Sequence, residues 1–228
     1  MNVKYIYFDF FDTLAFLSKA VNWDNVFEMT PTLYKEKDKR IIKTNWISLF
    51  MELQSNAEKT HIEFSMEDVS KNLFQSIPQY LEEDLFHITQ SYMELWEQSI
   101  IVYQDVLEII PKLAQEYQLG IISNTHDSDV VPSIINRYGL AKYFKQIVLS
   151  VDETYRKPNK KIFQVATGLF HCPQEWCFIG DNFEQDIQGA MAANIFPILI
   201  SRRATRKREK CITINTLYEI GNVLNIGE

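Results

Sequence analysis

The sequence predicts an α/β fold: a Rossmann-like parallel sheet with helices on both faces, interrupted after its first strand by an inserted α-helical segment. Three observations carry this. Short, almost continuous apolar runs alternate with helical patterns from residue 102 onward. Residues 16–100 contain no glycine and repeat their apolar positions at helical spacing. Polar residues able to do chemistry fall where the apolar runs end, as expected of a sheet whose ligand site lies beyond the carboxyl ends of its strands.

Val3 to Phe8 is a β-prone run with the texture of a strand buried on both faces. Asp9 to Leu14 breaks it with two carboxylates and a threonine. Within 16–100, Ile41, Ile42, Trp46, Leu49, Phe50 and Leu53 mark one amphipathic helix, and Val69, Leu73 and Phe74 another. Pro31 and Pro78 mark breaks between helices. Helices are then expected over 105–117, 127–138, 159–170, 184–193 and 216–224, and strands over 119–123, 146–149, 176–179, 196–200 and 211–214. Strand alternating with helix implies right-handed βαβ units. The expected division is a core of 1–15 and 101–228 with a helical cap of 16–100, the cap lying over the strand ends as a lid.

Composition bounds the function. The chain has 228 residues, 46% of them hydrophobic, which suffices for a core. A net charge of −7 argues against a general nucleic-acid binder. No export signal and no apolar stretch approaching the ~20 residues of a membrane helix is visible, so a cytoplasmic protein with a small-molecule substrate and no membrane partner is expected. Cys172, Cys177 and Cys211 lack the neighbours of a zinc site and read as free thiols. The basic run Arg202, Arg203, Arg206, Lys207 and Arg208 follows a strand and reads as a solvated loop, with an anion or partner contact as the other reading. Oligomeric state leaves no trace.

Four polar groups should converge. Asp9 ends the first strand, Ser123 the second (Ile121-Ile122-Ser123-Asn124), and Asp181 another (Gly180-Asp181, with Asp186 further on). Lys157 precedes a helix in Arg156-Lys157-Pro158-Asn159. Each has a bland reading too. Asp9 can be a turn residue, Ser123 and Asn124 a helix start, Lys157 an exposed loop residue, and Asp181 a helix cap with Asp186 in the first turn.

With all four in order, the chain resembles the haloacid dehalogenase-like hydrolases, in the branch with a helical cap inserted after the first strand. The resemblance covers essentially the whole chain. It implies that Asp9 is a nucleophile forming a covalent intermediate, usually an aspartyl phosphate. Thr13 matches the residue that orients it. Ser123, with Asn124 and backbone N–H groups, matches the phosphoryl-binding site, and Lys157 the cation that neutralises nucleophile and phosphoryl charge. Two carboxylates facing an anionic substrate call for a cation, and Mg²⁺ suits oxygen ligands. Resemblance names its ligands as Asp9, the Phe11 backbone carbonyl, Asp181 and, directly or through water, Asp186.

One position departs from the family. Its phosphatases carry an Asp, the general acid and base, where this chain has Phe11; Asp12, one place on, reads as a turn residue. General acid–base catalysis is worth roughly 10²–10⁴-fold, so good leaving groups are favoured. The family's 2-haloacid dehalogenases also carry a non-acid here, use no metal, lack the acid at Asp181, and hold substrate with a cap arginine, for which Arg40 is a candidate. The expected function is therefore a metal-dependent phosphatase, with a dehalogenase, or a non-catalytic binding protein of the same fold, as alternatives. Trp23, Asn45 and Trp46 of the cap and His126 after the second motif are further site candidates, against core or loop roles.

Overall fold

The computed structural model describes residues 3–168, 173–202 and 211–224. Its contacts divide into two compact units, Met1–Phe16 with Ile101–Glu228, and Leu17–Ile100.

The first unit is built on a six-stranded sheet of β1 (Tyr5–Phe8), β4 (Gln118–Ser123), β5 (Phe144–Leu149), β6 (Trp176–Gly180), β7 (Phe196–Ile200) and β8 (Ile212–Ile214). The order is β5-β4-β1-β6-β7-β8, and every pairing is parallel. Two short strands, β2 (Ala15–Leu17) and β3 (Ile100–Val102), form a separate ribbon where the chain leaves and rejoins this unit. The helices α5 (Gln104–Glu116), α6 (Val130–Arg137), α7 (Ser150–Glu153), α8 (Lys160–Thr167), α9 (Gly189–Ala192) and α10 (Ile220–Leu224) complete it.

The central strands are apolar along their length because both faces are covered. Ile6, Tyr7 and Phe8 of β1 are buried, as is all of β6. Across the sheet, the ring of Tyr7 occupies the space a side chain at Gly120 would need. The Tyr7 hydroxyl is then free to reach on to Gln146 Oε1 at 2.8 Å.

The second unit holds α1 (Trp23–Glu28), α2 (Glu36–Thr60), α3 (Met66–Ser76) and α4 (Glu82–Gln98). Pro31 and Pro78 fall between helices, where a missing N–H and a fixed φ end a helix. Trp23 and Trp46 lie in this unit's own core; the indole N–H of Trp46 donates to Thr89 Oγ1 at 3.1 Å. Ser65 and Asp68 form a reciprocal cap at the start of α3.

Several elements differ from the expected ones. The helix foreseen from 127 starts at Val130, because Asp127 Oδ1 instead accepts the N–H groups of Asp129 and Val130. The segment foreseen as one helix over 184–193 opens with a π-helical turn, Phe183–Gln188, in which the carbonyl of Asn182 accepts from both Asp186 N and Ile187 N. The β2–β3 ribbon and the single-turn α7 are too short to show a periodicity in the sequence. Among the described residues, no helix is long and apolar enough to cross a membrane.

Candidate active site

Four segments meet at the carboxyl ends of β1, β4 and β6. Asp9 extends β1 by one residue, its N–H bonded to the Ile179 carbonyl of β6 at 2.9 Å. The chain then folds tightly back. The Phe10 carbonyl accepts from Leu14 N and Ala15 N at 2.8 and 3.0 Å, and Asp12 N donates to the Ala15 carbonyl at 2.6 Å. Asp12 sits in the left-handed region at φ 56, a conformation that Asp tolerates better than most side chains. It is thus the turn residue of this loop, exposed where Thr13 is fully buried.

Lys157 is the pivot. Its side chain is 1% exposed, and its Nζ donates to Asp9 Oδ1 at 2.6 Å and to Asp186 Oδ1 at 2.7 Å. A buried ammonium is tolerable only with such partners. Burial works against its charge, but the two carboxylates outweigh it and hold the pKa above the usual lysine value. Asn124 fixes the backbone beneath. Its Oδ1 accepts from Lys157 N at 2.8 Å, and its Nδ2 donates to the Lys157 carbonyl and to Gln185 Oε1, each at 3.1 Å. The amide expected to face a substrate is, in this structure, spent on holding the lysine.

Asp186 is 1% exposed, and its second oxygen accepts from Asn182 N at 2.9 Å. It reaches Lys157 because Gly180, at the end of β6, has no side chain; a Cβ there would collide with the Asp186 carboxyl. The π-helical turn is capped by Asn182, whose Oδ1 accepts from Glu184 N and Gln185 N. Asp181 is therefore not the helix cap. One carboxylate oxygen from each of Asp9, Asp181 and Asp186 lies within 4.8 Å of the others, with Asp181 the least buried. Burial raises Asp9 to about 6, Asp186 pushing the same way and Lys157 opposing. Asp181 is raised to about 8, by burial first and then by repulsion from Asp9, Asp186 and Asp12.

Ser123 ends β4 fully buried, and neither its hydroxyl nor that of Thr13 has a hydrogen-bond partner among the described residues. Buried hydroxyls without partners are uncommon in folded proteins and call for an explanation. Neither Ser123 nor Asn124 starts a helix, since α6 begins at Val130. The loop beyond is pinned by Ser150 of α7, whose Oγ accepts from Thr125 N and donates to the Thr125 carbonyl. His126 is half-buried in the same loop. Arg40 is exposed on α2, and Asn45 donates back to its own helix at the Ile41 carbonyl.

Sequence reasoning missed two contributors. Gln185 supports Asn124, and Arg202 is not a solvated loop residue. Arg202 Nη1 pairs with Asp105 Oδ2 at 2.7 Å, and its Nε and Nη2 donate to the Thr13 carbonyl. Residues 203–208 of the same basic run, and Cys172, lie outside the described residues; Cys177 and Cys211 are free thiols.

A parallel α/β core that gathers an Asp, a Ser, a buried Lys and two further carboxylates at three strand ends is that of a hydrolase with an acidic, lysine-braced centre. The chain belongs to the haloacid dehalogenase-like hydrolases, whose family model matches residues 23–200. That stretch holds Ser123, Lys157, Asp181 and Asp186; Asp9 and Thr13 precede it. The chain is 30% identical over 110 residues to a glyceraldehyde 3-phosphate phosphatase of Methanothermobacter thermautotrophicus, covering 48% of each chain. It is 24% identical over 193 residues to the enzyme of the same name from Methanopyrus kandleri, covering 78% of this chain and 83% of that one. The first alignment thus spans about half of its relative. Among solved structures, the HAD-hydrolase YfnB of Bacillus subtilis bound to magnesium superposes at TM-score 0.66 with 20% identity, over 99% of this chain and all of that one. A 2-haloacid dehalogenase from Pseudomonas syringae superposes at 0.71 with 18% identity, over 98% of each.

Proposed function

We propose that this chain is a metal-dependent phosphatase that attacks through Asp9 and acts on a small phosphorylated metabolite with a good leaving group. The observation that carries the reading is charge balance. Three carboxylates face one another around a single buried ammonium, and two of them are held far above the usual carboxylate range. Such a cluster stays fully ionised only if a further cation joins it. Its all-oxygen donor set fits a hard divalent ion, and the magnesium in the YfnB structure makes Mg²⁺ the first choice. Asp9, Asp181 and the Phe11 carbonyl would hold it, with Asp186 direct or through water; bound there, it supplies positive charge to nucleophile and phosphoryl group alike.

In this reading the Asp9 carboxylate oxygen attacks phosphorus. A bond from Asp9 to phosphorus forms, the bond to the leaving oxygen breaks, and that oxygen takes the electron pair. Lys157 offsets the charge gathering on the phosphoryl oxygens, and the Ser123 hydroxyl, without a partner among the described residues, donates to one of them. Water then cleaves the aspartyl phosphate, releasing phosphate and restoring Asp9. Asn124 holds the backbone of Lys157, and the nucleophile loop is fastened through the Thr13 carbonyl. Phe11 offers no proton, so the leaving group departs as its anion. This favours aryl and acyl phosphates over the primary alkyl ester that the two archaeal relatives are named for. Substrate selection falls to the inserted helical cap, 16–100, while 1–15 and 101–228 form the hydrolase core. The free thiols Cys177 and Cys211 support a cytoplasmic setting.

Phe11 also favours a second reading, a 2-haloacid dehalogenase, because halide leaves without protonation. Against it stands Asp181, which would repel a haloacid carboxylate. The structural likeness to dehalogenases, at 18% identity, speaks for the fold alone.

The deciding assay is hydrolysis of p-nitrophenyl phosphate with and without Mg²⁺, beside chloride release from 2-chloropropionate without metal. Mg²⁺-dependent phosphate release that disappears in Asp9→Asn supports the proposal. Metal-free chloride release replaces it with the second reading, and a folded protein inert in both favours the binding-protein reading.

A further inference from the structure

The Arg202 side chain comes from just beyond the end of β7 and grips the nucleophile loop 189 positions away in sequence. Two of its N–H groups converge on one atom: Nε and Nη2 reach the Thr13 carbonyl oxygen at 3.1 and 2.7 Å. A third, on Nη1, is paired with Asp105 Oδ2 at 2.7 Å, and that same oxygen accepts from Leu217 N at 2.6 Å. The guanidinium lies 3.9 Å from the ring centroid of Tyr103, close enough for a cation–π contact. Tyr103 in turn donates its N–H to the Leu14 carbonyl at 3.0 Å. Both members of the Arg202–Asp105 pair have side chains 7% or less exposed. Charge-assisted bonds in so dry a place are strong and geometrically strict.

The loop held in this way carries the nucleophile. Asp9 is tied to β6 at its N–H, and residues 10–15 are closed on themselves by the Phe10 carbonyl. The Thr13 and Leu14 carbonyls are where this closed turn is fastened to α5 and the end of β7. We infer that Arg202 is a positioning residue for Asp9: a planar fork that sets the far side of the nucleophile loop while Lys157 sets the near side. This rests on the reading of Asp9 as nucleophile. A lysine at 202 keeps the charge that Asp105 needs but has no planar fork to place two donors on one carbonyl.

The test compares wild type, Arg202→Lys, and the double variant Arg202→Met with Asp105→Asn, in which no buried charge is orphaned and the 105 side chain still accepts from Leu217 N. Three quantities are read: melting temperature, kcat and KM for p-nitrophenyl phosphate with saturating Mg²⁺, and amide hydrogen exchange of the peptide spanning 9–15. The expected result is folded variants with KM within about twofold of wild type and kcat lower by about 10- to 100-fold, the size of an ångström-scale misplacement. Exchange over 9–15 should quicken at least about tenfold. Folded variants with wild-type kcat and wild-type exchange overturn the inference. So does a loss of kcat matched by an equal loss of folded protein with exchange raised everywhere alike. A wild-type protein without phosphatase activity removes the phosphatase reading instead, and the exchange arm still decides whether Arg202 holds the loop.

Discussion

Gly180 ends β6 outside the left-handed region, so it does not need glycine's backbone freedom. It needs glycine's missing side chain. A Cβ built there lies 2.5 Å from the Asp186 Cβ, and closer still to the carboxyl group. Carbon atoms rest at about 3.5–4.0 Å, so Gly180→Ala must move Asp186 by about 1 Å. Asp186 has little freedom to move, being fixed by Asn182 N at 2.9 Å and Lys157 Nζ at 2.7 Å. The displacement breaks the second bond and lets Lys157 drift from Asp9. Overpacking of this kind costs about 1–3 kcal/mol in stability, and an ångström of misplacement costs about 10²-fold in rate. Steady-state hydrolysis of p-nitrophenyl phosphate with Mg²⁺, beside thermal unfolding, measures both. Gly139→Ala is the control: at φ +69 with nothing within 4 Å, it should cost about 1 kcal/mol of stability and leave kcat alone. A Gly180→Ala protein with the wild-type kcat would refute the chain from Gly180 through Asp186 and Lys157 to Asp9.

Further outcomes follow from the same geometry. Lys157→Met strands Asp9 and Asp186 as buried carboxylates and should destabilise by about 3–5 kcal/mol, read by urea unfolding at pH 8; a smaller loss at pH 5, where Asp9 takes up a proton, is expected as well. Asn124→Ala leaves Lys157 N and its carbonyl without their side-chain partners, and should lower kcat more than it raises KM; a pure KM effect would instead make Asn124 a substrate ligand. Asp9 and Asp181 are acids whose pKa values rise on folding, to about 6 and about 8, so the stability they contribute is present at low pH and lost as pH climbs through those values. The metal-free protein should therefore melt lower at pH 8 than at pH 5 on their account, and Mg²⁺ should raise the melting temperature more at pH 8. A Mg²⁺ effect independent of pH would contradict the carboxylate cluster as its site.

Much of this was legible in the sequence for a physical reason. Strands buried on both faces must be apolar throughout, so Tyr5–Phe8, Gln118–Ser123 and Trp176–Gly180 stand out, and the polar residue that ends each run stands out with them. Asp9, Ser123 and Asp181 are found that way. Contacts made across the fold leave no such trace. Nothing in Arg156-Lys157-Pro158 shows that Asn124, 33 residues earlier, clamps that backbone, or that the first arginine of a basic run is buried against Asp105. Trp23 and Trp46 sit at helical spacing that favours a core but also suits a binding face, and packing assigns them to the core. The π-helical turn at Phe183–Gln188 breaks the 3.6-residue period on which the sequence argument relied.

Covalent attack by Asp9 leaves an acyl phosphate that can be trapped. The protein is mixed with an aryl phosphate and Mg²⁺, quenched in acid, reduced with borohydride and digested. An acyl phosphate is reduced to the alcohol, so attack by Asp9 predicts homoserine at position 9, found by peptide mass, dependent on substrate and Mg²⁺ and absent from Asp9→Asn. Phosphate release at the full rate with an unmodified Asp9 peptide at every quench time would contradict it.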